Sequence, residues 1–370
     1  MQPSNTIPPA RLLVPLDKYD KLPLRHKWHR WIVAASTAIT SLTILLIIAV
    51  GATMLGSDVF EKILSVDEYE EFSAAILLAC FLPLLLLVTR TITAARYAAS
   101  GAIASEQQFE YVRMIVEHYS ALAGLTQTPT VAIVNDGGFV AKTASNFGKA
   151  TILVHADLVD ASRPNSQDWG ALRFAIAREV GHIAAGHRDL VYELFTAVTQ
   201  AVPYLSYPLL RAEAYTADRY GAVLAPDAAA DYFAVEAVSK DCWLDMSVRA
   251  SVARAGKARF SQMLTCFVSK TPPTTWRLHA LAWFGAFQMK PLPSNAQSPA
   301  DYRAYLKTLP TLPALIDVLD HHHAAFWLPP QPMSHKTLDA LCPKGTNREL
   351  LAHNLQTTAS DTTQRESITV

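Results

Sequence analysis

Hydrophobic residues near the start of the chain form two long runs without any charge. The first covers residues 31–56 and the second covers residues 72–89. A helix needs about 20 apolar residues to cross a bilayer, and the first run is longer than that. The second run could form a buried core helix, but its length and its pairing with the first run favour a second span. The pattern therefore predicts a transmembrane hairpin.

After the hairpin, the pattern alternates between helical and strand periods. An apolar stripe over residues 106–125 predicts a helix. Short β-branched stretches predict three strands, the first of which runs into the turn signal Asp136-Gly137-Gly138. These strands are expected at residues 130–135, 139–145 and 150–155. The predicted order is one helix, then the strands, then further helices. This order is typical of an α+β domain rather than of repeated βαβ units.

The most regular helical pattern covers residues 171–187, where apolar residues recur at three- and four-residue steps. A later helix is predicted at residues 211–224, and residues 231–267 are predicted to be largely helical. Within residues 269–284, a Pro-Pro break leads into a further helix with Arg277 at its start. Residues 190–210 are also apolar, but Pro203 and Pro208 interrupt them. A buried or interfacial helix is favoured there over a third membrane span.

The pattern divides the chain into four predicted parts. They are residues 1–30 as a basic cytoplasmic segment, 31–95 as two transmembrane helices with a short acidic loop, 96–340 as a mostly helical α+β domain, and 341–370 as a polar, disordered tail. Basic residues flank the hairpin on both sides and acidic residues lie between its helices, so the positive-inside rule puts the N-terminus and the domain in the cytoplasm. The hydrophobic core is too long and too far from the terminus for a cleaved signal peptide.

Composition removes several classes of function. The 32 basic and 32 acidic residues cancel, so nothing in the charge indicates binding to nucleic acid. Four scattered cysteines contain no C-x-x-C pair, which indicates neither a disulfide framework nor a cysteine-ligated zinc site. We also find no nucleotide-binding loop and no G-x-S-x-G of a serine hydrolase.

The candidate chemistry lies in the segment AREVGHIAAGH, residues 177–187. In H-E-x-x-H zinc hydrolases, two histidines four residues apart hold the metal and the glutamate polarises its bound water. Here Glu179 and His182 keep two positions of that motif, while Arg178 stands where the first histidine would be. Arginine cannot replace a zinc ligand because its guanidinium has no free lone pair and stays protonated.

Five segments in order resemble the membrane metallopeptidases of the HtpX and CAAX-prenyl-protease type, family 48 of the metallopeptidases. They cover roughly residues 106–284 and are LAGLTQTPTVAIVND, GFVAKTASNFGKATILVHADLV, AIAREVGHIAAGH, RAEAYTADRYGA and TPPTTWRLHAL. The resemblance implies a zincin-like fold on the membrane hairpin in an inner or plasma membrane. It also implies a zinc ion and hydrolysis of peptide bonds in or near the membrane.

Carrying the family pattern over position by position shows where this chain departs from it. The resemblance implies Glu179 as the general base and His182 as a ligand, but the other two ligand positions hold Arg178 and Ala214. Glu213 is one residue from the glutamate position, about 100° round the helix, and is a possible displaced ligand. Thr271 also stands where the family usually has a histidine before its two prolines. We expect zinc to be absent or weakly held.

The resemblance also implies a strand that pairs with extended substrate, carried here by Phe139, Val140, Ala141 and Lys142. Pairing of backbones needs no metal, so this strand can bind peptide even without zinc. The expected function is a non-catalytic relative that binds peptide or unfolded membrane-protein segments, as in protein quality control. The alternative is an active zinc endopeptidase with non-standard ligands.

Two further questions concern the charges and the remaining histidines. Arg178 could supply positive charge where the metal would lie, by pairing with Glu179 alone or with both Glu179 and Glu213. Alternatively, Arg178 could point to solvent and Glu179 could be a surface acid. His187 follows His182 by five residues, and a continued helix would turn it away from the same face. Other histidines that could approach the site are His155, His279 and the run His321–His323.

Overall fold

The computed structural model describes residues 24–56, 99–135, 141–146, 149–162, 169–257, 259–288 and 326–350, with scattered helical positions between residues 70 and 97. The strands are β1 (Ala102–Ile103), β2 (Thr130–Val134), β3 (Ala141–Asn146) and β4 (Lys149–His155). The helices are α1 (His29–Gly56), α2 (Glu110–Ala123), α3 (Ala156–Ser162), α4 (Gly170–Ala184), α5 (Leu190–Ala201), α6 (Tyr207–Leu224), α7 (Ala229–Val238), α8 (Val248–Ala255), α9 (Arg259–Val268), α10 (Thr274–Phe284) and α11 (His335–Leu341). A mostly helical chain with one small sheet confirms the predicted α+β class.

Helix α1 is long and apolar enough to cross a membrane over His29–Thr53. Its side chains are mostly exposed, including Leu42, Leu45 and Leu46. A signal sequence close to the N-terminus satisfies the same test of length and composition. The predicted second span at residues 72–89 lies largely outside the described residues.

The sheet has the strand order β1-β2-β4-β3. Strands β2 and β4 are parallel, whereas β1 pairs with β2 and β3 pairs with β4 in antiparallel fashion. All three strands predicted in this region are present, with ends shifted by up to two residues. Strand β3 is therefore at the edge of the sheet, opposite β1.

Helix α4 is the centre of the domain. It packs against α2, α6, α7 and the sheet, and its apolar side chains are almost fully buried. Gly181 lies where α4 meets α6 most closely, because a Cβ atom there would be 2.4 Å from the Cβ of Tyr220. The glycine thus sets how closely the two helices that carry the motif residues approach each other.

The apolar segment at residues 190–210 forms two helices rather than one. Helix α5 ends before Pro203, and Pro208 lies in the first turn of α6, where proline fits because no backbone N–H is needed. Helix α5 lies along α1. Its outer face exposes Leu190, Val191 and Phe195.

Residues near both ends of the described chain contact the domain. Leu24 and His26 are buried, and the backbone N–H of His26 donates a hydrogen bond to Thr216 Oγ1 at 3.0 Å. At the other end, Asn347 is buried and its backbone N–H donates to the carbonyl of Met246. Leu24, His26 and Asn347 are therefore packed against the helices of the domain.

Candidate functional site

The motif residues of α4 face α6 and the edge strand β3. Glu179 and His182 are buried, and only about an eighth of the Arg178 side chain is exposed. The possibility that Arg178 points to solvent and Glu179 is a surface acid is therefore wrong. Helix α6 brings Glu213, Ala214 and Asp218 to the same region from the other side, all of them buried.

Arg178 joins two buried carboxylates. Its Nη1 donates to Glu179 Oε1 at 2.6 Å, and its Nε donates to Asp218 Oδ1 at 2.9 Å. The other oxygen of Glu179 accepts a hydrogen bond from Thr143 Oγ1 at 2.8 Å. Both oxygens of the general-base position are thus engaged within the protein. The predicted pairing of Arg178 with Glu179 is confirmed, whereas Asp218 takes the place expected for Glu213.

A second arginine completes this ion network. Arg277 of α10 donates from Nε and Nη2 to the two oxygens of Asp218, both at 2.7 Å. Its Nη1 donates to Glu236 of α7 at 2.7 and 2.9 Å. Two arginines and three acids therefore connect four elements, and each buried charge has a partner of opposite sign. Such pairing is required because an isolated buried charge is very costly.

The electrostatics keep both arginines charged. Burial lowers the pKa of each guanidinium, but the groups around it outweigh burial, and the net pKa lies above the ordinary value in both cases. For Arg178 these groups are Tyr232, Glu179 and Asp218. For Arg277 they are chiefly Asp218 and Glu236.

This arrangement does not fit a zinc ion at the position that the resemblance implies. A fixed cation with no lone pair occupies the first ligand position, and Ala214 offers no donor atom at the third. The carboxylate of Glu179 is held by Arg178 and Thr143 rather than directed at a water molecule. No hydrolytic step through a metal at that position follows from this structure.

A second group of side chains lies beside the network. His182, His187 and Glu213 each offer one ligand atom, and these three atoms lie within 4.8 Å of one another. The Nδ1 atoms of the two histidines are 3.0 Å apart. All three residues are buried. Glu213 is thus a displaced acidic residue that reaches the site, as the sequence indicated.

The expectation that His187 turns away from His182 is wrong, because α4 ends before it. The helix stops at Ala184, and Gly186 takes a left-handed conformation with φ of 74°. Glycine adopts this conformation without the steric cost that a side chain would add. The chain folds back, and the ring of His187 comes to 5.2 Å from that of His182.

Burial sets the protonation of this group. It lowers the pKa of both His182 and His187 well below the ordinary value, and nearby arginines lower it further. Both rings are therefore neutral near pH 7 and have a lone pair available. Burial raises the pKa of Glu213, while Arg188 and a hydrogen bond from Tyr192 act in the opposite direction.

Two aromatic groups surround these ligand atoms. Tyr192 of α5 donates its hydroxyl proton to Glu213 Oε1 at 2.7 Å. The ring of His29, at the start of α1, is centred 4.9 Å from that of His187. The Nε2 atom of His29 is 3.5 Å from the Tyr192 hydroxyl. The apolar N-terminal helix therefore begins next to the group.

The other predicted site residues are distributed as follows. Ala141 and Lys142 begin the edge strand β3, and Lys142 is exposed. Phe139 and Val140 lie outside the described residues, as does the run His321–His323. His279 does not approach the site, since its Nε2 is bonded to the carbonyl of Gln331 at 2.9 Å. His155 pairs instead with Asp157 at the end of β4.

Sequence reasoning missed Thr143, Tyr192, Glu236 and His29. Only one signal could have found part of this arrangement, namely the glycine before His187, which allows a helix to end and the chain to reverse. The other residues come from elements distant in sequence, and no local pattern predicts their contact. Comparison of the chain with family models, with curated proteins and with solved structures gave no match.

Proposed function

We propose that this protein is a membrane-anchored, non-catalytic relative of the HtpX-type metallopeptidases that binds extended peptide or unfolded segments of membrane proteins. Its zincin-like domain and N-terminus are on the cytoplasmic side. The observation that carries the proposal is the bonding of Arg178. Its guanidinium occupies the position of the first zinc ligand and holds the general-base carboxylate of Glu179.

Loss of hydrolysis does not remove the means of binding peptide. Among the described strands, β3 is at the edge of the sheet and pairs only with β4. An extended peptide that adds to the other side would gain backbone hydrogen bonds, which do not depend on its sequence. Among the described residues, the exposed Lys142 is on this strand and would favour acidic segments.

The membrane part of the proposal rests on α1 and α5. Helix α1 is exposed over most of its apolar length, and α5 lies along it with an exposed apolar face. Exposed apolar surface of this extent is favourable in lipid and costly in water. The basic residues before α1 favour the cytoplasmic side for the domain.

A second candidate function is supported by one observation, the approach of His182, His187 and Glu213. Two histidines and one glutamate are the ligand set of many catalytic zinc sites. The alternative is therefore an active endopeptidase with non-standard ligands. Zinc-dependent cleavage of a quenched peptide library, abolished by Glu179→Gln, would replace the non-catalytic proposal with this one.

Binding is tested with two proline variants, Ala141→Pro and Lys142→Pro. Adjacent residues of a strand direct their N–H groups to opposite edges, so one variant removes an outward donor and the other removes a donor to β4. The measurements are capture of an acidic unfolded peptide library by the full-length protein in nanodiscs, and thermal unfolding of the same samples.

We expect one variant to unfold at the wild-type temperature yet capture less peptide. The other variant should be less stable, since it breaks the β3–β4 ladder. If the variant of wild-type stability captures peptide as well as the wild type does, β3 is not the binding edge. If the wild type captures no peptide at all, the proposed function is wrong.

A further inference from the structure

We propose that His182, His187 and Glu213 form a binding site for a divalent transition-metal ion such as Zn²⁺, which joins the end of α4 to α6 and does not involve positions 178 and 214. This inference goes beyond the proposed function, because it requires neither peptide binding nor hydrolysis. The sequence-based expectation that zinc is absent or weakly held concerned a different site, the one in which Arg178 stands at a ligand position.

The geometry is close to that of a metal site. In tetrahedral zinc sites the Zn–N distance is about 2.0–2.1 Å, so two coordinating nitrogens lie about 3.3 Å apart. The Nδ1 atoms of His182 and His187 are 3.0 Å apart, and a Glu213 oxygen completes a group that spans no more than 4.8 Å. The two nitrogens already have nearly the required separation, and the Glu213 oxygen would have to come to about 3.3 Å from each of them to share one ion.

A hydrogen bond between two neutral imidazoles also explains the 3.0 Å contact, but it adds no positive charge beside Glu213. Glu213 is buried, accepts a hydrogen bond from Tyr192, and has Nη1 of Arg188 4.0 Å from its Oε2. A buried carboxylate requires close compensation of its charge. A divalent cation between the histidines would compensate the carboxylate directly.

The groups around the ligand atoms support the same interpretation. Metal-bound carboxylates are usually oriented by a second hydrogen bond, and Tyr192 donates such a bond to Oε1 of Glu213 at 2.7 Å. This leaves Oε2 for the ion. The positive charge of Arg178 acts on His182, but Glu179 and Asp218 pair with that guanidinium and reduce its repulsion of an ion.

The donor set defines the class of ion. Imidazole nitrogen suits Zn²⁺, Co²⁺, Ni²⁺ and Cu²⁺, whereas Ca²⁺ and Mg²⁺ prefer sites made only of oxygen. A cleft is lined by residues 25–31, including His29, whose ring lies beside that of His187. Because α1 begins at His29, an ion here would stabilise the junction between the N-terminal helix and the domain.

The test uses Co²⁺, whose visible absorption reports tetrahedral coordination. The full-length protein is purified in detergent with a tag free of histidine and dialysed against a chelator. His321, His322 and His323 are changed to alanine in every sample, so that this run cannot bind metal. We expect about one Co²⁺ per chain with an intense tetrahedral spectrum, and displacement of Co²⁺ by Zn²⁺.

Two variants remove ligands and one serves as a matched control. His187→Ala and Glu213→Gln should weaken Co²⁺ binding by at least about tenfold, since even changes around a metal site commonly cost that much. His155→Ala removes a histidine outside the group and should bind as the parent does. Zn²⁺ should raise the unfolding temperature of the parent and the control but of neither ligand variant.

The inference is overturned if the parent shows no tetrahedral Co²⁺ spectrum, or if Glu213→Gln binds Co²⁺ as tightly as the parent. Glu213→Gln decides the matter if His187→Ala fails to fold, because glutamine keeps the shape of the side chain and the bond to Tyr192. Metal content is measured without any peptide, so a negative result here leaves the peptide-binding proposal standing.

Discussion

Arg178 places a fixed positive charge in the interior of the domain. Its guanidinium lies between Glu179 and Asp218, so two buried carboxylates share one fixed positive charge. The pairing with Glu179 was expected from the family resemblance, which puts positive charge beside that carboxylate, and not from helical spacing, since adjacent helix residues do not face each other. The pairing of Arg178 with Asp218, and of Arg277 with Asp218 and Glu236, could not be predicted, since the members of each pair are 40 or more positions apart and meet only through the packing of α4, α6, α7 and α10.

Removal of this charge should be costly. We expect Arg178→Met to lower the free energy of unfolding by about 3–5 kcal/mol, because it leaves the buried carboxylate of Glu179 without a cation, whereas Asp218 keeps Arg277. Arg173→Met on the same helix is the matched control, since its pair with Asp227 is partly exposed and should be worth less than about 1 kcal/mol. Denaturant titration of both variants measures the difference, and equal losses would contradict the role assigned to Arg178.

A buried histidine away from the site makes stability depend on pH. Burial lowers the pKa of His279 to about 4 from 6.5, against a bond to the Gln331 carbonyl that raises it. The unfolded chain therefore binds a proton that the folded chain does not, and stability falls as pH decreases from 6.5 to about 4. The loss is at most about 3 kcal/mol.

His279→Gln should remove this part of the pH dependence. We expect the wild type to lose more stability than the variant between neutral pH and pH 4, as measured by unfolding midpoints across that range. Parallel curves for the wild type and His279→Gln would contradict the prediction.

At the level of elements, the sequence predicted the helices and strands well where a periodic pattern was long. The pattern at residues 171–187 gave α4, and the three strands appeared within two residues of their expected ends. It failed where a single residue changed the direction of the chain. Helical periodicity continued through Gly186, so His187 was assigned to the wrong side, although a left-handed glycine ends the helix there. The left-handed conformation of Gly186 therefore determines that the ring of His187 lies next to that of His182.

The contact between α4 and α6 depends on another glycine. We expect Gly181→Ala to destabilise the domain by about 1–3 kcal/mol, because its Cβ would lie 2.4 Å from the Cβ of Tyr220 and the helices would have to separate. Gly170→Ala is the control on the same helix. Its Cβ would meet only the carboxylate end of Asp231, which can rotate away. Thermal unfolding of both variants tests this, and equal shifts would argue against a close contact at Gly181.

At the level of the whole molecule, α1 and the domain form one folded unit. The segment before α1 packs on α6, so the N-terminal end of α1 and the domain must be on the same side of any membrane. A helix of 28 residues is about 42 Å long, enough to place its other end on the far side. The sequence predicted an apolar N-terminal helix of membrane-spanning length. It did not predict that this helix is joined to the domain, because no local pattern relates residues so far apart.

Labelling with a membrane-impermeant maleimide tests this topology. The native, exposed Cys242 reports the side of the domain, and Thr53→Cys reports the far end of α1. In intact cells we expect external reagent to label position 53 and to spare Cys242, which should react only after the membrane is opened. Labelling of Cys242 in intact cells would reverse the orientation, and labelling of both from one side would show that α1 does not cross.

The hydrogen bond from His26 to Thr216 also has a consequence for synthesis, because it joins residues 190 positions apart. At a synthesis rate of about 5–20 residues per second, roughly 10–40 s separate the appearance of His26 from that of Thr216. During that interval the segment before α1 has no partner surface, while α1 itself can already enter the bilayer. The first described residues to leave the ribosome are thus among the last to reach their final contacts.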